Sequence, residues 1–80
     1  MLETGVFIQQ QDPLPEGAAR YRPRPDAIIE AVEMHQPFVV EMRGGAGVVT
    51  GKPGDFLVRG TDGELYPCIR EVFLRKYEAA

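Results

Sequence analysis

Residues 52–77 read Lys-Pro-Gly-Asp-Phe-Leu-Val-Arg-Gly-Thr-Asp-Gly-Glu-Leu-Tyr-Pro-Cys-Ile-Arg-Glu-Val-Phe-Leu-Arg-Lys-Tyr, and this stretch decides the fold. Pro53 and Gly54 suit the centre of a type II turn, whose second central residue needs a positive φ. Asp55 can accept backbone N–H bonds and fix that turn. Phe56 to Arg59 then reads as a strand, Asp62-Gly63 as a hairpin turn, and Glu64-Leu65-Tyr66 as the returning strand, with Pro67 limiting its pairing. A loop formed by Asp62 and Gly63 alone places Arg59 opposite Tyr66 and Leu57 opposite Cys68, with the Arg59 guanidinium near the Tyr66 ring. Ile69, Val72, Phe73 and Tyr77 recur at helical spacing, so residues 69–77 are expected to form a helix with that face inward.

Working upstream, Phe38-Val39-Val40-Glu41-Met42 and Val48-Val49-Thr50 are strand candidates joined by the turn Gly44-Gly45-Ala46-Gly47. Residues 26–35 are ambiguous. As a helix, Ala27, Ile28, Ala31, Val32 and His35 share a face; as a strand, neither alternating set is cleanly polar. Tyr21 to Pro25 alternates arginine and proline and should be extended. Residues 1–19 read as an extension with a candidate strand at Val6-Phe7-Ile8, which needs to pair with the domain's own sheet edge or with a second copy.

The composition bounds the answer. Eighty residues form one small domain, which buries roughly 60–65% of the surface of its unfolded chain. Its 44% hydrophobic content suits a globular chain. The single cysteine and single histidine supply neither an internal disulfide nor a closed zinc site, so no metal or cofactor is expected. A lone thiol fits a reducing compartment, and hence the cytoplasm. There is no apolar run long enough for a membrane span, and a net charge of −3 argues mildly against nucleic acid.

No catalytic motif stands out. His35 lacks a nucleophile beside it and reads as a loop residue. Cys68, just before the expected helix, has one feature of an activated thiol, yet buried cysteines are the commoner case. Gly44 to Gly47 lacks the Lys-Ser/Thr ending of a phosphate loop. Arg20, Arg22 and Arg24 form a basic strip, and Asp26, Glu30, Glu33 and Glu41 an acidic stretch. Both suit solvated faces, but either could meet a partner. Tyr66 and Tyr77 with Arg59 and Arg75 could present a stacking surface, with core and rim packing the simpler reading.

Pro53, Gly54, Asp55 and Phe56, then Gly60, Gly63, Glu64, Tyr66, Pro67 and Cys68, then Phe73, Tyr77 and Glu78 resemble in order and spacing a family of small phage, prophage and bacterial proteins. One branch of that family is named for a Pro-Gly-Asp-Tyr-Gly motif. Tyr21 to Pro25 and Ile29-Glu30-Ala31-Val32 are similar to the family's basic-proline stretch and its Ile-Glu-Ala-Val strand. The resemblance covers about residues 20–78 of what reads as a single domain, residues 20–80, and turns residues 27–34 toward a strand, with the helix still open. It implies no assigned activity or cofactor. Its phage setting implies an accessory role, acting through a protein partner.

The expected fold is therefore α+β: a small bent antiparallel sheet of four or five strands, partly closed like a barrel, with a C-terminal helix. Its expected core is Ile28, Val32, Val40, Val49, Phe56, Val58, Ile69, Val72 and Phe73. The expected function is a non-enzymatic protein-interaction module using Arg22, Arg24, Arg59 and Tyr66. The alternatives are an inhibitor that offers Asp26 to Glu41 to a host defence or nucleic-acid enzyme, and an enzyme with Cys68 as nucleophile.

Overall fold

The computed structural model describes residues 5–23 and 28–79. Along the chain come β1 (Val6–Ile8), β2 (Ala19–Pro23), β3 (Ile29–Glu33), β4 (Phe38–Glu41), a short 3-10 turn (Arg43–Gly45) and β5 (Val48–Gly51). Then follow β6 (Phe56–Arg59), β7 (Leu65–Cys68), α1 (Arg70–Lys76) and β8 (Tyr77–Ala79). The fold is α+β, with a three-stranded sheet ordered β1-β4-β5 and a five-stranded sheet ordered β7-β6-β3-β2-β8. This corrects the single barrel-like sheet expected from sequence: the strands divide into two sheets that do not close. The parallel β1–β4 pair is the one departure from antiparallel pairing among the described strands.

Residues 29–33 are a strand, and the structure explains why they lacked a polar face. One face of β3 and β6 contributes Val32 and Leu57 to a core with Ile8, Met34, Phe38, Val40 and Leu65. The other contributes Ile29, Ala31, Phe56 and Val58 to a core with Phe73. A strand buried on both sides loses the alternation that identifies a half-buried one. Small sheet, large sheet and helix thus form three layers, with hydrophobic contact across both boundaries.

Val32, Val40, Phe56, Val58 and Phe73 are core residues as expected. Ile28, Val49, Ile69 and Val72 are not, at 43%, 44%, 57% and 44% exposed. Ile69 is extended and precedes the helix, so it falls outside the helical periodicity. The seven-residue helix buries Phe73 alone, and Val72 lies off that contact. Val49 belongs to an edge strand, and Ile28 lies just before β3. Their places are taken by Ile8, Ile29, Ala31, Met34, Phe38, Leu57 and Leu65.

The β6–β7 register differs by one residue from that expected. Arg59 pairs with Leu65, Val58 with Tyr66 and Phe56 with Cys68. Gly63 N–H donates to the Gly60 carbonyl and Gly60 N–H to the Glu64 carbonyl, each at 2.9 Å. Gly63 has φ 88°, whereas Asp62 does not enter the positive region. This is a three-residue loop whose last member is left-handed, not a two-residue type I′ turn. The extra residue puts Arg59 and Tyr66 on opposite faces and removes the expected cation–ring contact.

Gln10 bridges the two sheets. Its side-chain amide donates to the carbonyls of Glu41 and Leu65, both at 2.9 Å, and accepts from the Leu65 N–H at 2.8 Å. Beside it, β1 lies along β4 with Val6 opposite Phe38, so the candidate strand at residues 6–8 pairs within its own chain.

Gly51 sits opposite Phe38 in the β4–β5 pair, and a Cβ there would come within 2.2 Å of the Phe38 ring. Gly51→Ala is therefore expected to cost about 1–3 kcal/mol by overpacking, read as a lower urea midpoint. An unchanged midpoint would mean that the Phe38 ring does not lie over this glycine.

Candidate binding groove

The Pro-Gly-Asp segment is a clamp between the sheet and the helix. Asp55 N–H donates to the Lys52 carbonyl at 2.9 Å, and Gly54 has φ 95°, as a type II turn requires. The Asp55 side chain is buried and accepts from the N–H of Lys52 at 3.0 Å and of Arg70 at 3.2 Å. Arg70 opens α1, where Ile69 offers no capping side chain, so Asp55 caps the helix from fifteen residues upstream. Burial alone would raise the Asp55 pKa. The two N–H donors and the Lys52 ammonium, 3.5 Å away, outweigh it and hold the carboxyl below its ordinary 3.8. Arg70 also pairs with Glu33 of β3 at 2.7 Å, a partly exposed contact that contributes little.

The aromatic residues of residues 56–77 then meet. Phe56 and Phe73 stack with centroids 3.9 Å apart, Tyr21 meets Phe73 edge-on at 4.9 Å, and Tyr77 stacks on Phe73 at 4.8 Å. Tyr66 and Tyr77 stand on the two outer strands of the five-stranded sheet, yet their hydroxyls lie 3.3 Å apart. The sheet must curl strongly for its edges to come within reach of two tyrosines. Burial and this hydrogen bond raise the Tyr66 pKa far above the usual phenol value and keep its proton in place.

A two-turn helix cannot cover five strands. Beside its end remains an open groove of about 470 Å³, lined by Ile29, Tyr66, Tyr77, Lys76 and the Gly60–Glu64 loop. Ile29 and the rings of Tyr66 and Tyr77 supply its apolar surface. The rim carries the Asp62 and Glu64 carboxylates and the Lys76 ammonium, which stands 5.5 Å from the Tyr77 ring centroid.

The residues singled out from sequence do not converge here. Tyr66 lines the groove. Arg59 lies on the opposite sheet face, where its guanidinium donates to the carbonyls of Gly63, at 3.1 Å, and Asp12; it holds a loop in place. Arg22 pairs with Glu78 across β2 and β8 at 3.4 Å. Arg24 lies outside the described residues, as does Asp26. The acidic stretch is dispersed: Glu30 and Glu33 point to opposite faces of β3, Glu33 is paired with Arg70, and Glu41 belongs to the other sheet. His35 is exposed beyond β3. Pro67 sits on an edge strand, the position a proline tolerates.

Ile29, Asp62 and Lys76 were not legible as groove residues, because only sheet curl brings them together. The motif pieces were legible, and they join: Asp55 meets Arg70, Phe56 meets Phe73, and Tyr66 meets Tyr77. Comparison with family models, curated proteins and solved structures finds no match to this chain.

Asp55→Ala should destabilise the domain by about 1–3 kcal/mol, because it leaves two N–H groups without their acceptor. The wild-type carboxylate contributes in full above pH 3.8, and its contribution drains away as pH falls through the lower folded value. Urea midpoints measured between pH 2 and 6 should fall less steeply with acid in Asp55→Asn; equal slopes would deny the clamp.

Cys68 is half-buried, and burial, reinforced by Asp55 and only partly offset by Lys76, raises its pKa. A nucleophile needs the opposite shift. Alkylation of the native protein at neutral pH should therefore run slower than that of the unfolded chain, because less of the thiol is thiolate and its access is reduced. Equal or faster native reaction would restore the thiol as a reactive group.

Proposed function

We propose that this chain is a non-enzymatic protein-interaction module that receives a segment of a partner protein in the groove beside Tyr66 and Tyr77. The observation that carries this reading is the open groove of about 470 Å³ beside the helix end, where Ile29 and two tyrosines meet the charged side chains of Asp62, Glu64 and Lys76. Concave sites with an apolar floor and a few polar groups are where ligands and partner side chains lodge. Tyrosine suits such a surface because it offers a large rigid face and a polar tip.

The resemblance to phage and prophage proteins supports an accessory role, with a host or phage protein as the partner and the cytoplasm as the setting. The binding residues proposed move from the arginines to the groove, since Arg22 and Arg59 are already held by Glu78 and by loop carbonyls. No described helix is long and apolar enough to cross a membrane. The inhibitor reading has less support, because its carboxylates share no common face.

Thr61 is exposed at the groove rim, so Thr61→Trp fills the groove without touching the core. A partner captured by the tagged wild-type protein should be reduced at least tenfold with Thr61→Trp, as expected of blocking a central contact site. Equal capture by both would place the interaction elsewhere and overturn this reading.

A further inference from the structure

The groove has a charge pattern that selects its occupant. Asp62 and Glu64 put two carboxylates on its rim against the single ammonium of Lys76. Asp62 is partly engaged: one oxygen accepts the Glu64 N–H at 3.0 Å, and the other lies 3.8 Å from Arg43. The Glu64 carboxylate is half-buried and engages no other described residue. Beside it are the rings of Tyr66 and Tyr77, whose hydroxyls are occupied with each other. Their outer ring surfaces therefore offer π-electron density more than hydrogen bonds. The chain already uses one such surface this way, in holding its own Lys76 cation 5.5 Å from the Tyr77 centroid.

We infer that the groove recognises a basic side chain of the partner, arginine above lysine, seated against the tyrosines with its charge directed to Glu64 and Asp62. A planar guanidinium can lie on an aromatic face and donate side-on to a carboxylate, whereas an ammonium does one of these less well. Ile29 beneath gives the aliphatic stem an apolar floor. An anionic guest would gain Lys76 but meet two carboxylates. This inference rests on the groove being a protein-binding site.

The test is selection of immobilised random hexapeptides by the tagged full chain. Arginine-bearing peptides should be enriched. Their binding should fall about tenfold or more in Asp62→Asn/Glu64→Gln, since hydrogen bonds to charged groups are being made neutral. That variant keeps the size of both side chains and the Asp62 acceptor that supports the turn. Lys76→Met should tighten the same peptides, because it removes a competing cation. Weakening by Lys76→Met, or selection of acidic peptides, would mean an anionic guest and overturn the inference while leaving a protein-binding groove. Selection of apolar peptides indifferent to the double variant but lost in Thr61→Trp would do the same. No enrichment of any peptide would overturn both the inference and the reading beneath it.

Discussion

Ala31, Leu57 and Val58 have no exposure to solvent, and they lie on neighbouring central strands with side chains directed to both sides of the sheet. Strands of that kind need a layer above and a layer below. Eighty residues are few to build three layers, and the outer two are accordingly thin: a sheet of three short strands, and a helix of two turns. The small sheet brings Phe38 and Val40 to one face, at the cost of a glycine opposite Phe38. The helix brings Phe73 to the other. Loss of either cover would leave several aliphatic side chains of the same two strands facing water, each worth roughly 1.5–3 kcal/mol on full burial. For a domain whose total stability is about 5–15 kcal/mol, either cover is indispensable.

The thinness of the helical layer explains both its anchoring and the groove. A two-turn helix has little stability of its own. It is fixed at its start by Asp55 and along its length by Phe73 wedged among Phe56, Tyr21 and Tyr77. All but Tyr21 come from residues 53–78, a segment spent largely on holding one short helix to one curled sheet. What that helix leaves uncovered is the groove beside Tyr66 and Tyr77.

The turns around Pro53-Gly54 and the strands from 38 onward were legible because their signals are local: proline fixes φ, glycine permits its reversal, and β-branched runs favour extension. Three features escaped for physical reasons. Burial of β3 on both faces erased the alternation that distinguishes strand from helix. Asp62-Gly63 is compatible with two loop lengths, and the choice of the longer one, with Gly63 left-handed, reversed the faces of Arg59 and Tyr66. The helical spacing of Ile69, Val72 and Phe73 was real, but the chain is still extended at Ile69. As for the site, Tyr66 was singled out, while the groove depends on sheet curl and on Lys76 and Asp62 from separate elements, which no spacing along the chain records.

Gln10 has a bearing on how the chain acquires this structure. Its amide is satisfied by Leu65, fifty-five positions away, and β1 finds its partner only across some thirty residues, at β4. β2 pairs first with the neighbouring β3 and on its other edge with β8, from the far end of the chain. The C-terminal β8 thus closes on the N-terminal β2, while β1 is seated by β4 from the middle of the chain. Loop closures of this span are entropically demanding and slow. A nascent chain that has emerged only through β6 has its central pair but lacks both the helix that covers one face and the β7 backbone to which Gln10 ties the other. The Gln10 tie and the β8 edge are therefore late additions, whereas β1 can lie along β4 as soon as β4 has been made.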